Sequence, residues 1–86
     1  MQLKIVYTGR NYDAAGRFPS TLELAADAFL DDALEAIRRS LADPRQLPPT
    51  CLVAVSGIHQ GTVAKHRNAA LQDGDELLLV APVAGG

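Results

Sequence analysis

Cysteine is nearly absent from this chain of 86 residues: only Cys51 is present. A single thiol excludes an internal disulfide framework and any zinc or iron–sulfur site built on several cysteines. Lying in the apolar run Cys51-Leu52-Val53-Ala54-Val55, it reads as a buried strand thiol. No excess of one charge exists either, with eight basic and ten acidic residues interspersed and a formal net charge of −2. A nucleic-acid binder would need a basic face, so no nucleic-acid partner is expected. Apolar runs stay far below membrane-spanning length, and Met1-Gln2-Leu3-Lys4-Ile5-Val6 lacks the shape of a signal peptide. A cytoplasmic chain with no membrane partner is therefore expected. Phosphate-loop and serine-elbow motifs are missing as well, so any ATP used in its chemistry must be bound elsewhere.

What is present is ordinary globular composition, 48% apolar and 21% charged. A chain of this length is read as one domain, 1–86, which buries roughly 60–65% of its unfolded surface. That leaves no room for a deep catalytic cleft beside a full core. Leu3, Ile5 and Tyr7 alternate with Gln2, Lys4 and Val6, predicting a first strand. Leu22 and Leu24 against Thr21 and Glu23 predict a second, antiparallel to it through a long loop. The period then changes. Leu30, Leu34, Ile37 and Leu41 form the stripe of an amphipathic helix, with Asp31 and Asp32 at its start and Arg38 and Arg39 near its end. Glu35 is placed to pair with Arg39 one turn on.

Asp43-Pro44 stops the helix and Pro48-Pro49 marks an extended connector. A strand over Cys51–Val55, a Ser56-Gly57 turn and a weakly patterned stretch from Ile58 to Ala70 follow, with a short strand expected around Val63. Asp73-Gly74 signals a turn whose carboxylates are read as solvated rather than as a metal or acid–base pair. His59 and His66 have no thiol companion and are read as surface histidines, so no metal site is expected. The uninterrupted apolar run Leu77–Val80 predicts a central strand covered on both faces. The fold class is α+β, a mixed sheet of four to five strands with one main helix packed across it.

The last strand runs into Ala81-Pro82-Val83-Ala84-Gly85-Gly86. Glycine has no Cβ, so Gly85 and Gly86 can thread a channel too narrow for any side chain. A strand delivering two such residues and a carboxylate is a device for placing that carboxylate inside another protein.

Leu71, Asp73-Gly74-Asp75-Glu76 and Pro82-Val83-Ala84-Gly85-Gly86 resemble the "L-x-DGDE" turn and "PPVxGG" ending of the MoaD/ThiS family of ubiquitin-like β-grasp sulfur carriers. Val55-Ser56-Gly57 resembles the family's "VNG" turn, with Ser56 in place of Asn, and Ala81 replaces the first proline of the ending. The resemblance in element order covers the whole chain; the specific motifs cover its last third. Among the family's branches, the molybdopterin synthase small subunits match best.

The resemblance implies a β-grasp fold and a chain that is not catalytic alone. It implies that an E1-like adenylyltransferase uses ATP to convert the Gly86 carboxylate to a glycyl adenylate, and that a persulfide donor supplies sulfur for a thiocarboxylate. The large catalytic subunit of molybdopterin synthase, in a heterotetramer, is the implied acceptor partner. The chain itself is expected to bind no cofactor. Partner binding is assigned to Val80, Pro82, Val83, Ala84 and Gly85, on the sheet face that the helix leaves open, with Ile58 and Val63 as further candidates. Carriers for thiamin, cysteine, siderophore-type metabolites or tRNA thiolation share this tail chemistry. A ubiquitin-like interaction or conjugation module, never thiolated, is the alternative from a different class.

Overall fold

The computed structural model describes residues 1–8, 18–41 and 47–81. Its elements, in chain order, are β1 (Gln2–Thr8), β2 (Thr21–Glu23), α1 (Leu30–Ser40), β3 (Leu52–Val55), β4 (Ile58–Thr62) and β5 (Glu76–Val80). They form one five-stranded mixed sheet in the order β2-β1-β5-β3-β4. β5 lies in the middle, parallel to β1 and antiparallel to β3. β2 and β4 pair antiparallel with β1 and β3 and form the two edges. The pattern predicts a mixed sheet with one helix across it, and the order is the β-grasp arrangement that the resemblance implies.

One face of the sheet carries the core. Leu3 and Ile5 of β1, Val53 and Val55 of β3, and Leu77 and Leu79 of β5 are buried there against Leu30, Ala33, Leu34 and Ile37 of α1. The alternation within each strand produces this face, since successive side chains point to opposite sides. The expectation that β5 is covered on both faces is corrected: Leu77 and Leu79 are buried, but Leu78 and Val80 are only half-buried. An unbroken apolar run here reflects a central strand with one open apolar face, because α1, the one helix among the described residues, packs on the other side of the sheet.

The β4–β5 connection caps α1. Leu30 N–H donates to the Ala69 carbonyl at 2.8 Å, and Asp31 N–H to Asn68 Oδ1 at 2.8 Å. Asp32 reaches back to accept from the N–H of Phe29, the residue before the helix, at 2.8 Å. These contacts satisfy N-terminal donors that have no partner within the helix. The expected Glu35 pair forms with Arg39 at 3.2 Å and extends to Arg38, also at 3.2 Å. Exposed pairs of this kind contribute little to stability.

The weakly patterned stretch resolves into β4 and a tight turn. Val63 lies just past the strand expected around it and is buried core, its N–H donating to the Cys51 carbonyl at 2.9 Å. His66 is not a surface histidine. Its side chain is 10% exposed, with Nε2 2.6 Å from Asp31 Oδ1 and Nδ1 2.9 Å from the Thr62 carbonyl. It ties the connection to the start of α1. Gly61 permits this turn, because a Cβ there would collide with the Lys65 carbonyl and the His66 backbone.

Ser56 and Gly57 both take positive φ, +46° and +85°, as a two-residue hairpin between β3 and β4 requires. Positive φ strains a serine, and two hydrogen bonds offset that strain. Ser56 Oγ donates to Asp75 Oδ1 at 2.7 Å and accepts from Glu76 N–H at 3.2 Å. The Asp73–Asp75 carboxylates are structural rather than simply solvated: Asp73 accepts from Gln2 N–H at 2.7 Å and Asp75 from Gln72 N–H at 2.8 Å. Ser56→Ala should destabilise by about 2 kcal/mol, losing both bonds while keeping the strain. Ser56→Gly should lose about 1 kcal/mol, because glycine relieves the backbone. Urea midpoints ranking wild type above Gly above Ala would bear this out; equal midpoints for the two variants would remove the strain from the account.

Candidate functional site

The open sheet face is built by the second set of alternating residues. The register places Val6 of β1 beside Leu78 of β5, and Leu78 beside Ala54 of β3. One rung further on, Thr8 lies beside Val80, and Val80 beside Leu52. Leu52 is 41% exposed, and Val6, Ala54, Leu78 and Val80 are half-buried. Two adjacent rows of short apolar side chains thus cross the three central strands. Lys4 and Glu76, neighbours in register and 3.8 Å apart at their charged ends, bound the patch on the side away from the tail.

An apolar surface of this kind binds by excluding water, and the β-branched and leucine side chains fill a flat, pleated contact area. Val80 sits in this patch, as expected. Leu78, Leu52, Val6, Ala54 and Thr8 belong to it equally. Their signal in the sequence was the same alternation that exposed the core, read two residues at a time from Val80. Ile58 is 67% exposed but pairs with Val55, so it lies on the helix side at the far end of the sheet. Val63 is core. Neither belongs to the patch.

Val80 is the last residue of β5, and the chain leaves the sheet at its centre, beside this face. Ala81 is 4% exposed, and its N–H donates to the Thr8 carbonyl at 2.8 Å. Pro82, Val83, Ala84, Gly85 and Gly86 lie outside the described residues. Cys51 is fully buried next to the same strand end, and its backbone N–H and carbonyl are engaged by Pro48 and Val63. Burial pushes its thiol up from 9.0 to about 11, partly offset by a backbone hydrogen bond from Val80. A thiol held protonated is a poor nucleophile, so Cys51 is structural.

Among the described residues no three of His, Cys, Asp and Glu come together as a metal-binding group. No described helix is long and apolar enough to cross a membrane. The described residues offer an open apolar face beside the end of the central strand.

This fold defines a ubiquitin-like β-grasp protein. It superposes on SAMP1 from Haloferax volcanii with a TM-score of 0.69 at 24% identity, covering all of both chains. It also matches a chain of the complex of subunits 1 and 2 of molybdopterin-converting factor from Helicobacter pylori 26695, with a TM-score of 0.58 at 21% identity and both chains fully covered. Within that class the chain belongs to the ThiS family, whose model matches residues 5–86. The molybdopterin synthase sulfur carrier subunit of Chlamydomonas reinhardtii is 31% identical over 86 residues, with both chains covered from end to end.

The raised Cys51 value has a testable sign. The folded state favours the neutral thiol, so this contribution to stability is fully present below about pH 9 and is lost as pH rises towards 11. Denaturant midpoints for the wild type should fall across that window more steeply than for Cys51→Ala. Alkylation of the native thiol at pH 8 should be far slower than in urea. Equal rates in the two states would place the thiol in solvent.

Proposed function

We propose that this chain is a sulfur carrier whose terminal glycine, Gly86, is adenylated and converted to a thiocarboxylate. One observation carries the reading: the family match extends from β1 through the diglycine, residues 5–86. The central place of β5 in the sheet, beside an open apolar face, supports it. A carboxylate is a poor electrophile. An E1-like adenylyltransferase would supply ATP, and the Gly86 carboxylate oxygen would attack the α-phosphorus, releasing pyrophosphate and forming the acyl adenylate. Sulfide attacking the acyl carbon expels AMP and leaves the thiocarboxylate. A persulfide donor forms an acyl disulfide instead, whose S–S bond a thiol then cleaves to the same product. A thioacid ionises more readily than a thiol, so its sulfur is anionic and nucleophilic at neutral pH.

For the acceptor we propose the molybdopterin pathway. Support comes from the Chlamydomonas relative, named as the sulfur carrier subunit of molybdopterin synthase, and from the Helicobacter complex of two molybdopterin-converting factor subunits. In this reading the open face docks on a large catalytic subunit, the tail of residues 82–86 enters its active site, and sulfur passes to a pterin precursor. The partner provides the acid–base groups; this chain provides the reacting atom. Activity of this kind fits a cytoplasmic setting, where ATP and persulfide donors are available.

The test is intact mass after incubation with an E1-like adenylyltransferase, ATP and a sulfide source. The expected gain is one oxygen replaced by sulfur, abolished by deletion of Gly86. No gain from a folded chain with any such enzyme would favour a surface-binding module. Leu78→Arg and Val80→Arg should each weaken docking on the adenylyltransferase at least tenfold, since each buries an unpaired charge in the contact. Their far-UV circular dichroism should match the wild type, because both side chains lie on the outer face, half-buried and outside the core. Loading at wild-type efficiency by both variants would move the docking surface elsewhere.

A further inference from the structure

The open face ends at the edge strand β4, and a β-bulge decides which side chain stands there. Val53 pairs with Gly61 and Ala54 with His59, so Gln60 has no partner on β3. In an unbroken register Gln60 would oppose Ala54, and His59 would oppose the buried Val55 on the helix side. The bulge turns His59 to the open face instead, as the fourth member of the row of Val6, Leu78, Ala54 and His59. Gln60 is tied down separately, its side-chain amide donating to the Ile58 carbonyl at 3.2 Å.

His59 is exposed and has no hydrogen-bond or ion-pair partner among the described residues. Lys4 and Glu76, the charged groups at the other end of the face, are paired with each other. Alongside β4 the unpaired charges are cationic. Lys65, whose carbonyl accepts from Thr62 N–H, and Arg67, whose N–H donates to the Gln60 carbonyl, form no ion pair among the described residues. We infer that His59 is the specificity-determining residue of the docking face, its ring donating a hydrogen bond to a carboxylate that the partner presents beyond Ala54. The inference rests on the sulfur-carrier reading above. The apolar rows supply affinity for any flat apolar surface. A polar contact at their margin selects among partners, because a partner without the acceptor buries the ring unpaired.

The test measures docking of the full chain on the E1-like adenylyltransferase without ATP, so that binding is read apart from sulfur transfer. His59→Leu keeps the size and loses the donor, and it should weaken docking about tenfold because the partner's carboxylate is left unsatisfied. His59→Asn and His59→Gln place an amide donor near the positions of Nδ1 and Nε2, and one of them should dock within about threefold of the wild type. Docking of His59→Leu at wild-type strength, or the same loss in all three variants, would overturn the assignment. Diethyl pyrocarbonate, which acylates accessible imidazole nitrogens, reads the ring directly. In the free chain His59 should react much faster than His66, which is 10% exposed with both nitrogens engaged, and saturation with the enzyme should protect it. Equal rates in the free chain, or no protection on docking, would count against the contact with the same force. Docking that depends on His59 in a chain that never gains sulfur sinks the carrier reading alone. A wild type that does not dock overturns the contact as well.

Discussion

The parallel pairing of β5 with β1 is the constraint on which the rest of the molecule depends. It joins residues more than seventy positions apart in sequence, Lys4 with Glu76 through Thr8 with Val80. Loop closure over that span is an entropic cost that short-range contacts do not meet. Burial of Leu77 and Leu79 beside Leu3 and Ile5 offsets it. Once β5 is in the centre, β3 pairs on its other side, and the helix has one continuous apolar face to cover.

The same placement produces the open apolar surface. A central strand covered by one helix leaves its alternate residues open, so Leu78 and Val80 face outward next to Val6 and Leu52. The open patch and the core are two faces of the same three strands. The last rung of β5 is held on both flanks, Val80 lying between Thr8 and Leu52.

Much of this was legible in the residues. The periods of two in β1 and of 3.6 in α1, the Asp73-Gly74 turn and the diglycine ending pointed to the fold and to the family. The region from Ile58 to Ala70 was not legible, for a physical reason. Its structure is set by backbone contacts over a distance, such as Arg67 N–H to the Gln60 carbonyl and Leu30 N–H to the Ala69 carbonyl. Side-chain periodicity does not report such contacts. His66 looked like a surface residue because nothing local signals that Asp31, on the helix, comes within 2.6 Å of it.

The division of labour follows from the range of the forces. By itself the sequence determined that β1, β2, β3 and β5 are strands and α1 a helix, that Cys51 is a buried strand thiol, and that two glycines follow the apolar run after β5. These depend on local propensity, on composition and on the chemistry of single residues. Tertiary structure alone decided that β5 is covered on one face only, that Leu52 and Val6 join Val80 in one patch, and that Ala81 still belongs to the sheet. Each of those depends on register between strands distant in sequence, which is settled by burial of the whole core and not by any one segment.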